Sequence, residues 1–196
     1  MGVAGKFCVQ LLVIVTSISQ GLCQAEKEAK VKHFVGIVQV GYLYGIGTFN
    51  IDSDITAFNR GKALRLRLTA SKPFGRHLMI GIGAGLDGYH DPQYNTLPVV
   101  LDAKYFLTEK IRSLFVSVNS GMALKLSENF TSGFTGAFNV GYRVPSGRRA
   151  RICLEIGLNI QQFSQVNITV LTPFGPEFRN DTFILKTFAV NVGILF

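Results

Sequence analysis

From Phe34 to Phe196, apolar residues recur at every second position in short runs, and turn-forming residues separate the runs. The cleanest run is the last, TFAVNVGILF. Phe188, Val190, Val192, Ile194 and Phe196 share one face; Thr187, Ala189, Asn191 and Gly193 share the other, with Leu195 an apolar intruder. In ALRLRLTA, Leu64, Leu66, Leu68 and Ala70 oppose Arg65, Arg67 and Thr69. In LMIGIGAGLDGY, Leu78, Ile80, Ile82, Ala84 and Leu86 oppose Met79, three glycines and Asp87, and in VVLDAKYFL, Val99, Leu101, Ala103 and Tyr105 oppose Val100, Asp102, Lys104 and Phe106. FVGIVQVGYLYGIG, LFVSVNSGMALKL, FTGAFNVGYRV and RICLEIGLNIQ follow the same rule. A period of two belongs to strands whose two faces have different surroundings, so the pattern predicts eight strands. The connections alternate as well. SKPFGRH, TEKIRS and PSGRRA are short and turn-like; TFNIDSDITAFNRG, GYHDPQYNT, SENFTS and SQVNITVLTPFGPEFRNDT are longer or more polar. That rhythm predicts an antiparallel up-and-down meander with two different ends.

Alternation does not say which face meets water; the minor face does. It carries Arg65, Arg67, Asp87, Asp102, Lys104, Lys125, Arg143, Arg151 and Glu155 among many glycines. Both signs are present, as a narrow lumen would need if its charges are to pair. A soluble barrel would wear a richer outer coat of Lys and Glu, whereas charged residues are 16% of this chain. An eight-stranded barrel has an interior just wide enough for side chains, and glycines there leave room for arginines. Transmembrane strands need about 9–11 residues each, and closure removes the edges that lipid would not tolerate. The pattern therefore predicts an all-β, eight-stranded antiparallel transmembrane barrel, with short periplasmic turns and longer extracellular loops. Tyr42, Tyr44, Tyr89, Tyr105, Phe106, Phe130, Phe134, Tyr142 and Phe163, near strand ends, are the expected interfacial girdle.

The N-terminus changes the compartment rather than the fold. Lys6 precedes FCVQLLVIVTSI and then small and polar residues, the order of a secretory signal. Residues 1–25 are the expected signal peptide, cleaved after Ala25, or after Cys23 as an alternative. Residues 26–33 are the expected periplasmic lead-in, and 34–196 the barrel. Cys8 and Cys23 leave with the signal, so Cys153 has no partner for an internal disulfide. The formal charge of +8 would suggest nucleic acid in a cytoplasmic protein, but these cations are dispersed and the chain is exported. No nucleic-acid partner is expected.

The signal, eight alternating strands, loop rhythm and terminal Phe196 resemble the small OmpA/OmpX-type outer-membrane barrels of Gram-negative bacteria. NVGYR and GLDGYH are also similar to small barrels of the Bacteroidetes type. The resemblance implies a monomer in the cell outer membrane, surrounded by outer-membrane lipid and lipopolysaccharide. It also implies that Val190, Val192, Ile194 and Phe196 form the signal read by the barrel assembly machinery. It carries over no catalytic residue.

No enzyme chemistry assembles from the residues. His33, His77 and His90 lack metal-ligand spacing, HDP at His90 reads as a turn, and GIGAG lies inside a strand with no helix to follow. No metal or cofactor is expected. The sequons at Asn129, Asn167 and Asn180 fall in expected outer loops. Arg65, Arg67, Asp102, Lys104, Arg143, Arg151 and Glu155 form the expected lumen charge network, with Arg65 or Arg67 meeting Glu155 or Asp102 as the first pairing to seek. The expected role is structural, adhesive or surface-interacting, through the extracellular loops and above all Ser164 to Thr182, toward a host surface, a neighbouring cell or another membrane protein. A small-solute channel and a lipid-modifying enzyme are the alternatives.

Overall fold

A computed structural model describes residues 34–52, 55–58, 61–91, 94–110, 112–126, 131–146, 150–172 and 175–196, with backbone alone at 49–52, 55–58, 91, 165, 167–172 and 175–181. The expected signal peptide and lead-in lie outside the described residues. The strands are β1 (Val35–Gly45), β2 (Thr48–Asp52), β3 (Ile55–Phe58), β4 (Lys62–Phe74), β5 (Leu78–Asp91), β6 (Asn95–Phe106), β7 (Ser113–Lys125), β8 (Gly133–Ser146), β9 (Ala150–Thr172) and β10 (Gly175–Leu195). Eight of them close a barrel in the order β1-β10-β9-β8-β7-β6-β5-β4, each antiparallel to its neighbours. Each barrel strand grows from one of the eight alternating runs.

The longer connections differ from expectation. The first contains a hairpin of its own, β2 with β3. The segment from Ser164 to Thr182, expected as a loop, is largely strand. After an irregularity between Asp181 and Phe183, the β9–β10 ladder resumes and runs from Val166–Asp181 to Thr172–Gly175. The physical reason lies in VNITVLT, whose Val, Ile and Thr favour a pleated ribbon; the prolines nearby disguised it. The sequons at Asn167 and Asn180 lie within these strands, opposite each other, and Asn129 lies outside the described residues.

The outward rows are apolar. Leu64 is 67% exposed, Ile82 63%, Leu101 62% and Ile156 55%, burial that a soluble fold would not forgo. On β4, Lys62 and Lys72 bracket the outward row Leu64, Leu66, Leu68, Ala70. Ten residues at about 3.3 Å each span about 33 Å of strand, and a tilt of about 40° reduces this to about 25 Å, the height of a membrane barrel's apolar band. Leu68, near the middle, gives the first prediction. Leu68→Arg is expected to destabilise the barrel by about 2–4 kcal/mol in lipid vesicles, and Tyr44→Arg near the rim by about 1 kcal/mol or less, as read by urea titration of the folded band. Equal costs at both depths would contradict the belt.

Candidate functional site

Inward side chains stack in three layers along the barrel axis. At the end where the short turns and both ends of the barrel chain lie, Ile37, Met79, Phe106, Phe115, Cys153 and Leu195 form a buried apolar cluster. At the loop end, Leu43, Ala63, Tyr89, Phe163, Val166, Phe183, Leu185 and Ala189 form a second, with Tyr94 packed against it. Between them lies a polar layer with three cations, Arg65, Arg67 and Lys104, and three carboxylates, Asp87, Asp102 and Glu155, all buried.

Arg65 and Asp87 are cross-strand neighbours on β4 and β5. Arg65 Nε donates to Asp87 Oδ1 at 2.9 Å and Nη2 to Oδ2 at 2.8 Å, a two-pronged pair. Nη2 also donates to Asn159 Oδ1 at 2.9 Å, and Asn159 donates onward to Thr187. Arg67 lies 4.0 Å from Asp87, and its cross-strand partners are Gly85 on β5 and Gln39 on β1. The second centre spans the lumen. Lys104 Nζ donates to Glu155 Oε1 at 2.7 Å and lies 3.6 Å from Asp102, while Gln39 donates to Glu155 Oε2 at 2.9 Å. Lys104 also sits 5.4 Å from the Phe115 ring centre, so the charged layer rests directly on the apolar one. Arg143 stands apart, near the turn-end rim. Its guanidinium lies 4.1 Å above the Phe106 ring and donates to the Lys110 carbonyl.

Several placements differ from the sequence expectation. Arg65 pairs with Asp87, and Glu155 pairs with Lys104, so neither arginine meets Glu155 or Asp102 first. Lys125 is exposed at the end of β7, and Arg151 is only half-buried. Tyr89, Phe106 and Phe163 are 3%, 4% and 0% exposed and belong to the apolar layers, not the girdle, because alternation turns them inward. Tyr42, Tyr44, Tyr105, Phe134 and Tyr142 do face outward; Phe130 lies outside the described residues. Val190, Val192 and Ile194 face outward as expected from the period. Phe196 exchanges two backbone hydrogen bonds of 3.0 Å with Gly36, and its ring lies over that glycine.

Asp87 is the partner that residue-type reasoning passed over. Counting back from the turn at residues 75–77 would have found it, since that hairpin places Phe74 opposite Leu78 and hence Arg65 opposite Asp87. Cross-lumen pairs such as Lys104–Glu155 leave no such trace. Among the described residues, no group of three or more His, Cys, Asp or Glu side chains is placed to hold a metal ion. His77 is half-buried at a turn, its Nδ1 2.7 Å from the Phe106 carbonyl, and His90 is exposed.

The closed eight-strand order, apolar exterior and polar midlayer can now be set beside solved structures. The chain is similar to the crystal structure of Neisserial surface protein A, with a TM-score of 0.51, 10% identity, and 84% of this chain and 96% of that chain covered. It is similar also to outer membrane protein OprG from Pseudomonas aeruginosa, with a TM-score of 0.53, 12% identity, and 84% and 96% covered. The fold is that of an outer-membrane β-barrel. No protein-family model matches the chain, and no curated protein matches its sequence.

Proposed function

We propose that this chain is an integral outer-membrane barrel with a closed lumen, whose role is surface interaction through the structure beyond the loop end of the belt. The observation that carries this reading is the layered interior. A conducting lumen needs a wet path from end to end, and here an apolar cluster crosses each end of the polar layer. The charges between are matched three against three and serve to hold opposite walls together. What projects is the β9–β10 ribbon, paired to Thr172 and Gly175, with the β2–β3 hairpin near it. One structural neighbour is itself named a surface protein.

The test is to replace residues 167–180 with a tight turn, which keeps the Val166–Asp181 pair and the loop-end cluster. The trimmed protein should still fold and shift mobility on heating, and cells displaying it should lose adhesion to the surface that the full-length protein binds. Undiminished adhesion would overturn the ribbon's role. The lipid-modifying alternative predicts a lipid A mass spectrum that changes when the chain is deleted; this reading predicts none.

Phe196, with Val190, Val192 and Ile194, is proposed as the segment read by the assembly machinery. Removing Phe196 would also remove its two bonds to Gly36, so substitution separates the roles better. Phe196→Ala is expected to lower the folded yield in cells severalfold more than the yield of refolding in detergent. Equal loss in both settings would assign the residue to stability alone.

A further inference from the structure

Cations collect at one rim of the barrel. At the turn end, Lys72, Arg76, Lys110 and Arg112 are exposed and Arg151 is half-buried, against a single described exposed carboxylate, Glu109. Glu109 is already engaged by Arg76 at 3.1 Å. The four exposed cations belong to the β4–β5 hairpin and the β6–β7 connection, neighbours on the β4–β7 half of the barrel, and Arg151 at the start of β9 lies beyond them. The opposite end carries carboxylates among its cations, Asp52, Asp91 and Glu177 for instance.

Their depth matters as much as their sign. Lys72 sits in the outward row of β4, with its Nζ 5.7 Å from the ring centre of Phe74. Phe74 is 50% exposed, and Tyr105, Leu107 and Leu114 nearby along the rim are 48%, 55% and 50% exposed. The apolar belt ends here, and the cations follow within one or two residues. Lys72 thus points sideways from the wall, at the level where headgroups begin, with its stem on apolar surface and its amine at the polar boundary.

We propose that this rim is a collar selecting anionic phospholipids, of the phosphatidylglycerol type, in the leaflet at the turn end of the barrel. The inference rests on the membrane-barrel reading above. Each Lys or Arg near an anionic membrane surface contributes about 1 kcal/mol, and the surplus at this rim follows the edge of the apolar belt along the β4–β7 half of the barrel. A docked protein would have no use for a lysine aimed into the leaflet, as Lys72 is.

The test reconstitutes the purified barrel in phosphatidylcholine vesicles containing a trace of spin-labelled phosphatidylglycerol or spin-labelled phosphatidylcholine, and compares the motionally restricted fraction of each label. The wild type should favour phosphatidylglycerol by about fivefold at low salt, one cation's share. The preference should collapse near 1 M salt, where the screening length falls to about 3 Å. The variant K72Q/R76Q/K110Q/R112Q should lose it, and K62Q/K125Q at the other rim should keep it. Insertion without preference, a preference that survives high salt, or one retained by the four-site variant would overturn the collar while leaving the barrel standing. If the four-site variant does not fold, the salt series on the wild type decides. Failure of the wild type to enter any bilayer would overturn the membrane reading and the collar with it.

Discussion

Asp87→Ala is expected to cost the barrel about 3–5 kcal/mol, the range for removing one partner of a buried ion pair. The change strips Arg65 of both its charged hydrogen bonds and takes from Arg67 the carboxylate 4.0 Å away. Two guanidiniums would then share an interior with too few anions. The loss should belong to the uncompensated charge and not to the missing contact itself. The double variant Arg65→Met with Asp87→Ala should therefore recover much of the stability, since exchanging a whole buried pair for apolar packing is often close to neutral. Glu155→Ala should cost less than Asp87→Ala, because Lys104 keeps Asp102 at 3.6 Å. Urea titration in detergent, read by heat-modifiable mobility, measures all three. An Asp87→Ala loss under about 1 kcal/mol, or a double variant worse than the single, would refute the account.

The second large effect concerns conduction. Wild-type protein in a planar bilayer is expected to show no steady single-channel steps, because an ion would have to cross both apolar layers. Phe115 and Phe163 are the largest side chains that are fully buried in those layers, each 0% exposed. Either Phe115→Ala or Phe163→Ala alone leaves one layer intact and should stay silent. Together they should join the polar midlayer to water at both ends and raise the mean current by at least about tenfold, since about 1.4 kcal/mol off a barrier is already a factor of ten. Wild-type steps of uniform size would instead favour the channel reading. A silent double variant would mean that the charged layer itself blocks passage.

Period-two alternation made the barrel's wall legible because inside and outside differ in kind, and every strand reports that difference residue by residue. The same alternation held an answer about Leu195 that polarity alone concealed. It looked like a misplaced apolar residue on a polar face, and it is 5% exposed in the turn-end cluster with Ile37 and Phe115. Treating the minor face as uniformly polar hid the layering, and so put Tyr89, Phe106 and Phe163 on the wrong side of the wall. Position along the axis, not residue type, decides whether an inward side chain meets a charge or a ring. Hairpin partners could be counted from a tight turn, as Arg65 and Asp87 can. Pairs that cross the lumen depend on curvature and stagger, which no local pattern encodes.

The contact of Phe196 with Gly36 bears on how the barrel closes. Six of its strand pairings join consecutive strands and β1 with β4 spans only the β2–β3 hairpin, but β1 with β10 joins the two extremes of the barrel, and so carries the largest loop-closure entropy. Until it forms, the sheet is an open ribbon with two raw edges. Those edges must then meet in one alignment, and a displacement by one residue would turn lipid-facing side chains inward. A displacement by two preserves the faces and is the harder error to reject. Here the pairing supplies its own marker. A Cβ at position 36 would stand 2.6 Å from Cε2 of the Phe196 ring, so the ring fits over Gly36 as it stands and would have to swing aside opposite Phe34 or Val38, the outward residues two places to either side. Phe196 thus works as the tooth of a clasp, and the notch cut for it is the missing side chain of Gly36 at the start of the first strand.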